Sequence, residues 1–262
     1  MSDDQISTLA GLNRQELEAE VVDLRRRLAD LTGRNRAMWI LLAEVSRGLQ
    51  VSSASIKAAV SSLLDYDIFW DGSAQHEFLE TIDDSVNQEA NLIMLMTLAF
   101  KSAANNLAMK REPNDFREIL STVVDTISAG IPETDIKIDI PSEGSSVLVD
   151  YGYLAVGLRL LLEGLLESKI APQPLELRAV ETRTHWSLEI GYLTDSGVEL
   201  IRNLANSQIY DLMQTKEFSP ESILKLFTAS QIFQQQDIQL NVPEEVGLNH
   251  RMELLIPSVT TN

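Results

Sequence analysis

The sequence predicts an α+β protein in two parts: an N-terminal coiled coil and two-helix hairpin that forms a dimeric four-helix bundle, then an α/β sandwich. Three observations predict it. An apolar heptad runs from Leu17 to Leu49, a second amphipathic helix follows a turn-rich break, and helix-like and strand-like segments alternate beyond Pro113. The boundaries drawn from them are residues 1–35 for the N-terminal segment and coiled coil, 36–110 for the hairpin and 111–262 for the sandwich.

The heptad comes first. Leu17, Leu24, Leu31, Met38 and Val45 take the d positions, and Val21, Leu28, Asn35, Leu42 and Leu49 the a positions. Asn35 is a lone polar residue at a, a device that fixes register and favours a parallel two-stranded state. Glu20 at g can meet Arg25 at e of a partner helix. The pattern therefore predicts a homodimer, with a single amphipathic helix packed inside a monomer as the alternative. The same spacing continues through Ser52, Ile56, Ala59 and Leu63 to about Asp65, where DYDIFWDGS supplies a turn. Ser73 can cap a second helix whose inner face would include Phe78, Ile82, Val86, Ile93, Met96 and Phe100.

At LAMKREPND the composition turns polar, and Pro113 marks a hinge. NDFREILSTVVDTISAG reads as a helix, IKIDIP and SVLVD as short strands, and YLAVGLRLLLEGLLESK as a strongly apolar helix. PLELRAVETR and HWSLEIGYL read as a strand pair, SPESILKLFTASQIFQQQ as a helix, and IQLNV with RMELLIP as closing strands.

Composition narrows the function classes. In 262 residues, 44% apolar and 23% charged, there is material for an ordered core on both sides of the hinge. A formal charge of -18 disfavours nucleic acid and anionic membrane surfaces as partners. The absence of cysteine excludes disulfides and thiolate chemistry and suits a reducing compartment. MSDDQISTLAG has no basic n-region or apolar h-region, and no run of about 18 apolar residues occurs, so a cytoplasmic protein without membrane insertion is expected.

LLAEVSRGLQVSSASIKAAVSSLL, from Leu41 to Leu64, resembles the phosphoacceptor helix of bacterial sensor histidine kinases. That helix is typically an apolar lead-in, Ser-His-Glu-Leu-Arg-Thr-Pro, small residues and Ile-Lys-Gly. Ser46, Leu49, Ile56 and Lys57 fall in register, while Arg47 stands at the histidine position, Gly48 at the acid and Ser52 at the proline. A guanidinium stays protonated and offers phosphorus no lone pair. Val51 stands where the family often orients water for dephosphorylation.

Segment order from Met38 to Pro257 likewise resembles a phosphoacceptor hairpin joined to a histidine-kinase ATP-binding domain. The family's asparagine helix matches LLLEGLLES, with Leu160 and Gly164 at the magnesium-ligating asparagines. Glu163 beside them can substitute as an oxygen ligand or be a solvated or capping residue. The family's Asp-x-Gly-x-Gly segment matches TDSGVEL: Asp195 and Gly197 remain, Glu199 replaces the second glycine, and Asp-Ser-Gly is itself a common turn. No glycine-rich lid lies between Asp195 and Ser219.

The resemblance implies a degenerate histidine kinase: not an enzyme, holding neither ATP nor magnesium, dimerising through Leu24, Leu28, Leu31, Asn35, Met38, Leu42, Val45 and Leu49. Its partners would be a response-regulator receiver domain or another histidine kinase, docked on the small residues Ser53, Ala54, Lys57, Ala58, Ser61 and Ser62. Two alternatives stand beside it. A phosphotransferase or atypical kinase would move phosphate through His76 or His185, and a sensing module would hold another small molecule in the nucleotide pocket. His76, His185 and His250 show no metal-ligand spacing. Asp83 and Asp84 read as solvated, Met94 and Met96 as core, and Phe69 with Trp70 as loop packing or an exposed contact.

Overall fold

The computed structural model describes residues 19–26, 28, 42, 46–63, 72–131, 134–141, 144, 146–171, 173–191, 193–205, 218–242 and 251–259. The expectations for Leu31, Asn35, Met38, Val45, Phe69, Trp70 and His250 lie outside them. Residues 19–26 are helical, and Leu24 and Leu28 are 56% and 66% exposed within the single chain.

Helix α1 covers residues 46–63 and α2 covers Gly72–Ala103. On α1 the inward positions are Leu49, Ser52, Ile56, Ala59 and Leu63, the five that continue the heptad. Within one chain this line meets α2: Ser52 Oγ donates to the Ser85 carbonyl at 2.6 Å in a buried contact. Within the single chain the expected inner face of α2 is divided. Ser85, Leu92, Leu95 and Ala99 are buried, with Phe78, Ile82 and Met96 partly so, whereas Val86, Ile93 and Phe100 are 48%, 53% and 38% exposed. The reason is that α2 is apolar on two sides, and Leu92, Leu95 and Ala99 belong to the same buried cluster as the sandwich core. Periodicity alone does not say which apolar side the tertiary contact takes.

Beyond residue 111 every expected strand and helix is present, with two additions. Glu112–Asn114 forms a short strand, β1, so Pro113 sits in an antiparallel pair opposite Leu148. Asp195–Ala205 forms a helix, α5, where a turn was expected. The other elements are α3 (Phe116–Gly130), β2 (Ile136–Asp139), β3 (Val147–Val149), α4 (Tyr151–Glu167), β4 (Leu175–Glu181), β5 (His185–Ile190), α6 (Pro220–Gln235), β6 (Gln239–Asn241) and β7 (Met252–Pro257). β1 pairs with β3, and a five-stranded sheet runs β2-β4-β5-β7-β6. Only β2 and β4 are parallel in it, as a crossover containing α4 requires.

Helix starts follow side-chain capping. Asp115, Asp150 and Ser219 each accept a backbone N–H in the first turn of α3, α4 and α6. Asn105, Lys169 and Asp237 adopt left-handed φ of 54°, 56° and 59° just past α2, α4 and α6. The core is apolar: Phe116, Ile119, Leu154, Leu158, Leu161, Trp186 and Phe233 are each no more than 2% exposed. Each such side chain stabilises by roughly 1.5–3 kcal/mol.

Polar contacts pin α2 to the sandwich. Gln235 Nε2 donates to the Ser102 carbonyl at 2.6 Å, and Arg111 donates to the Gln235 carbonyl at 2.6 Å and to Asp237 Oδ2 at 2.5 Å. Asp150 accepts the Lys110 N–H at 2.8 Å, and its own N–H donates to Gln236 Oε1 at 2.7 Å.

Candidate functional site

On α1, Arg47 and Val51 are exposed and Gly48 is half-buried. A β-carbon on Gly48 would lie 3.2 Å from Leu92 Cδ1, so α1 and α2 are in contact where the family carries its acid. Glycine here serves the α1–α2 contact. Ser53, Ala54, Lys57, Ala58 and Ser61 are all exposed, on one continuous stretch of helix surface, and Ser62 is half-buried. Ser53 Oγ donates to Glu89 Oε1 at 2.5 Å, tying this face to α2.

On α4, Leu160 is 3% exposed and Gly164 is buried. Both lie on a helix packed tightly against α6. A β-carbon on Gly164 would stand 2.8 Å from Leu226 Cγ and 3.3 Å from the Ser222 carbonyl, closer than packed side chains approach. Gly157, two turns earlier, meets Phe233 in the same way at 2.8 Å. The line of α4 that carries the asparagines in histidine kinases is here a close helix–helix seam.

Beside that seam is a group of charges that sequence reading missed. Lys225 Nζ of α6 lies 2.5 Å from Glu167, 3.3 Å from Glu221 and 3.6 Å from Glu163, and Arg159 Nε is 3.8 Å from Glu163. Burial by itself lowers the Lys225 pKa, but the hydrogen bond to Glu167 and the charges of Glu167, Glu221 and Glu163 outweigh it and hold the pKa above the ordinary value. Glu163 is thus neither solvated nor a cap but a half-buried partner of two cations. The spacings Glu163–Glu167 and Glu221–Lys225 are visible in sequence, whereas their meeting across α4 and α6 depends on tertiary packing.

Asp195 opens α5, Gly197 is buried in its first turn and Glu199 is exposed. Thr194 Oγ1 accepts the Gly197 N–H at 3.2 Å, which caps the helix and explains why Thr-Asp-Ser-Gly is not a free turn. A β-carbon on Gly197 would lie 2.9 Å from Ile170 Cβ, so this glycine too marks a close approach. The structure brings Gly164 onto α6 and Gly197 onto the segment after α4, and leaves Arg47 and Val51 on the separate hairpin.

His76 is exposed on α2, its Nε2 3.1 Å from Glu80 Oε1. His185 Nδ1 lies 3.0 Å from Thr184 Oγ1 at the start of β5. Among the described residues no cluster of His, Cys, Asp and Glu could hold a metal ion, and no helix is long and apolar enough to cross a membrane.

No protein-family model and no curated protein sequence matches the chain. Solved structures do. The Acinetobacter baumannii histidine kinase AdeS superposes with a TM-score of 0.53 at 11% identity, covering 82% of this chain and 98% of AdeS. Full-length ShkA, solved in complex with AMPPNP, gives 0.52 at 12% identity, covering 84% of this chain and 46% of ShkA. The chain therefore spans about half the length of ShkA. One expectation is corrected by this likeness: the altered residues at Arg47, Gly48, Val51, Leu160, Gly164 and Glu199 led to a non-enzyme, but AdeS, a solved neighbour that shares this architecture, is a histidine kinase, and histidine kinases are enzymes. What the likeness establishes is a histidine-kinase-like fold, an α+β arrangement of helical hairpin and sandwich.

Proposed function

We propose that the chain is a dimeric regulator in two-component signalling, whose hairpin docks a response-regulator receiver domain or another histidine kinase. The observation that carries this reading is the outer face of α1, where Ser53, Ala54, Lys57, Ala58 and Ser61 are all exposed and small or flexible enough for a partner helix to approach closely. Dimerisation is supported by Leu24 and Leu28, exposed at heptad spacing, and by Leu79, Val86, Ile93 and Phe100 on α2, which repeat every seven residues at 38–53% exposure. Docking of this kind needs no bound ATP or magnesium, in keeping with Leu160 and Gly164 packed in the α4–α6 seam. Purified chain is mixed with each receiver domain and kinase of its own organism, with and without ATP–magnesium, and association is read by calorimetry. The reading expects saturable binding to at least one of them, unchanged by nucleotide; no association with any of them overturns it.

A second reading follows from His76. In the tautomer whose Nε2–H donates to the Glu80 carboxylate 3.1 Å away, Nδ1 of the exposed ring keeps its lone pair. That is the arrangement of a phosphoryl acceptor: Nδ1 would form the N–P bond as the acyl-phosphate C–O–P linkage of a receiver aspartate breaks at phosphorus. Incubation with a phosphorylated receiver domain checks it, acid-labile label on the chain that disappears in His76→Ala being the expected result and no label the contrary one.

A further inference from the structure

The C-terminal half of α2 and the first two turns of α4 enclose a cleft of about 470 Å³, within the roughly 300–1,000 Å³ of small-molecule sites. Its walls are Met94 and Leu98 from α2 and Tyr153 and Val156 from α4. Two charged groups stand at its edge, Lys101 and Asp150, and they differ in what they already do. Both Asp150 carboxylate oxygens are engaged, Oδ1 by the Tyr153 N–H at 3.0 Å and Oδ2 by the Lys110 N–H at 2.8 Å. Lys101 is exposed and makes no ion pair or side-chain hydrogen bond with any described residue, although acidic residues outnumber basic ones 39 to 21. An apolar trough closed by one uncommitted cation is complementary to a molecule with an apolar body and a single negative end.

We propose that this cleft binds an amphiphile with one anionic head, such as a medium-chain carboxylate, its chain against Met94, Leu98, Tyr153 and Val156 and its head on Lys101. Alternative occupants fit less well. A nucleotide polyphosphate brings several negative charges beside Asp150, and a cationic amphiphile meets Lys101 head-on. The site lies about two turns of α4 before Gly164, and so is distinct from the seam that replaces the asparagine positions. Because its walls come from both α2 and α4, a bound chain would bridge the hairpin and the sandwich.

Calorimetric titration of the full chain with sodium octanoate, 1-octanol and octylammonium, all below micelle formation, tests the proposal. Octanoate is expected to bind one per chain, about two- to fivefold tighter than octanol, the factor an exposed ion pair contributes. Octylammonium is expected not to bind, and each methylene added between hexanoate and octanoate is expected to tighten binding by about fourfold. Lys101→Met should make octanoate and octanol equal. Thr97→Trp, a change at an exposed position of the cleft wall, should abolish binding of both while leaving the melting temperature unchanged, and Asp125→Asn, on the exposed side of α3 away from the cleft, should leave octanoate affinity as it was. Equal binding of octanoate and octanol by the unmodified chain, no binding at all, or octanoate binding that survives Thr97→Trp would overturn the proposal.

Discussion

At the scale of single residues, three glycines are explained by what they touch. Gly164 and Gly197 have no room for an unstrained β-carbon beside Leu226 and Ile170, and at Gly48 the Leu92 methyl 3.2 Å away would have to shift by a few tenths of an ångström. Sequence comparison sees Gly48 and Gly164 only as a missing acid and a missing asparagine; the packing shows what took their place. Gly164→Asn, which restores the family residue, should therefore not restore a metal ligand but destabilise the fold by about 2–4 kcal/mol, through overpacking and a buried amide without partners. Urea denaturation measures it, and Leu226→Ala combined with Gly164→Asn should cost less than the sum of the two single changes. Lys225 makes a second prediction. Its side chain is 12% exposed while its three carboxylate partners are 23–47% exposed, so Lys225→Met should cost about 1–2 kcal/mol, less than the roughly 3–5 kcal/mol of a fully buried pair. The pKa is raised on folding, so this stabilisation is complete at neutral pH and is lost as pH rises beyond the ordinary lysine value. The stability gap between wild type and Lys225→Met, followed by thermal melts, should stay level through mildly alkaline pH and close only at strongly alkaline pH. A gap that closed between pH 7 and 9 would contradict the assignment.

At the scale of elements, the helices and strands of the sandwich were legible because each carries its own signal. Apolar runs gave α4 and α6, which the structure caps with Asp150 and Ser219, and alternation gave β4, whose burial alternates along its length. The misses have physical causes. Glu112–Asn114 is too short to show a period and contains a proline, which is tolerated in a two-stranded ribbon. Thr-Asp-Ser-Gly has turn chemistry that also starts helices, and only the apolar face of Val198, Ile201 and Leu204 behind it separates the two outcomes. α2 has two apolar sides, and periodicity does not say that Leu92, Leu95 and Ala99 meet the core within the chain while Val86, Ile93 and Phe100 do not. The other side, Leu79, Val86, Ile93 and Phe100, is where a second copy of the chain should pack. Ile93→Lys is expected to convert the dimer to a monomer in light scattering without unfolding it. A dimer that persists would place the interface elsewhere.

At the scale of the molecule, the hairpin and the sandwich share one continuous apolar core and are tied by Arg111, Gln235 and Ser102. Pro113 marked a hinge in the sequence, yet it lies in a strand, and Arg111 and Lys110 just before it bond to the C-terminal end of α6 and the start of α4. A joint of this kind was not legible, because its partners are separated by 40 to 133 positions along the chain. What was legible of the candidate site is the face of α1: Ser53, Ala54, Lys57, Ala58 and Ser61 are small or flexible in sequence and exposed in the structure. The account rests on that face as the place where a receiver domain or kinase docks. The most direct measurement is the calorimetric affinity of the unmodified chain and of Ala58→Trp for the same receiver domain or kinase. The account predicts saturable binding that weakens at least tenfold with the bulky side chain at unchanged thermal stability. Binding that is equally tight in the variant, or absent from both, would contradict it.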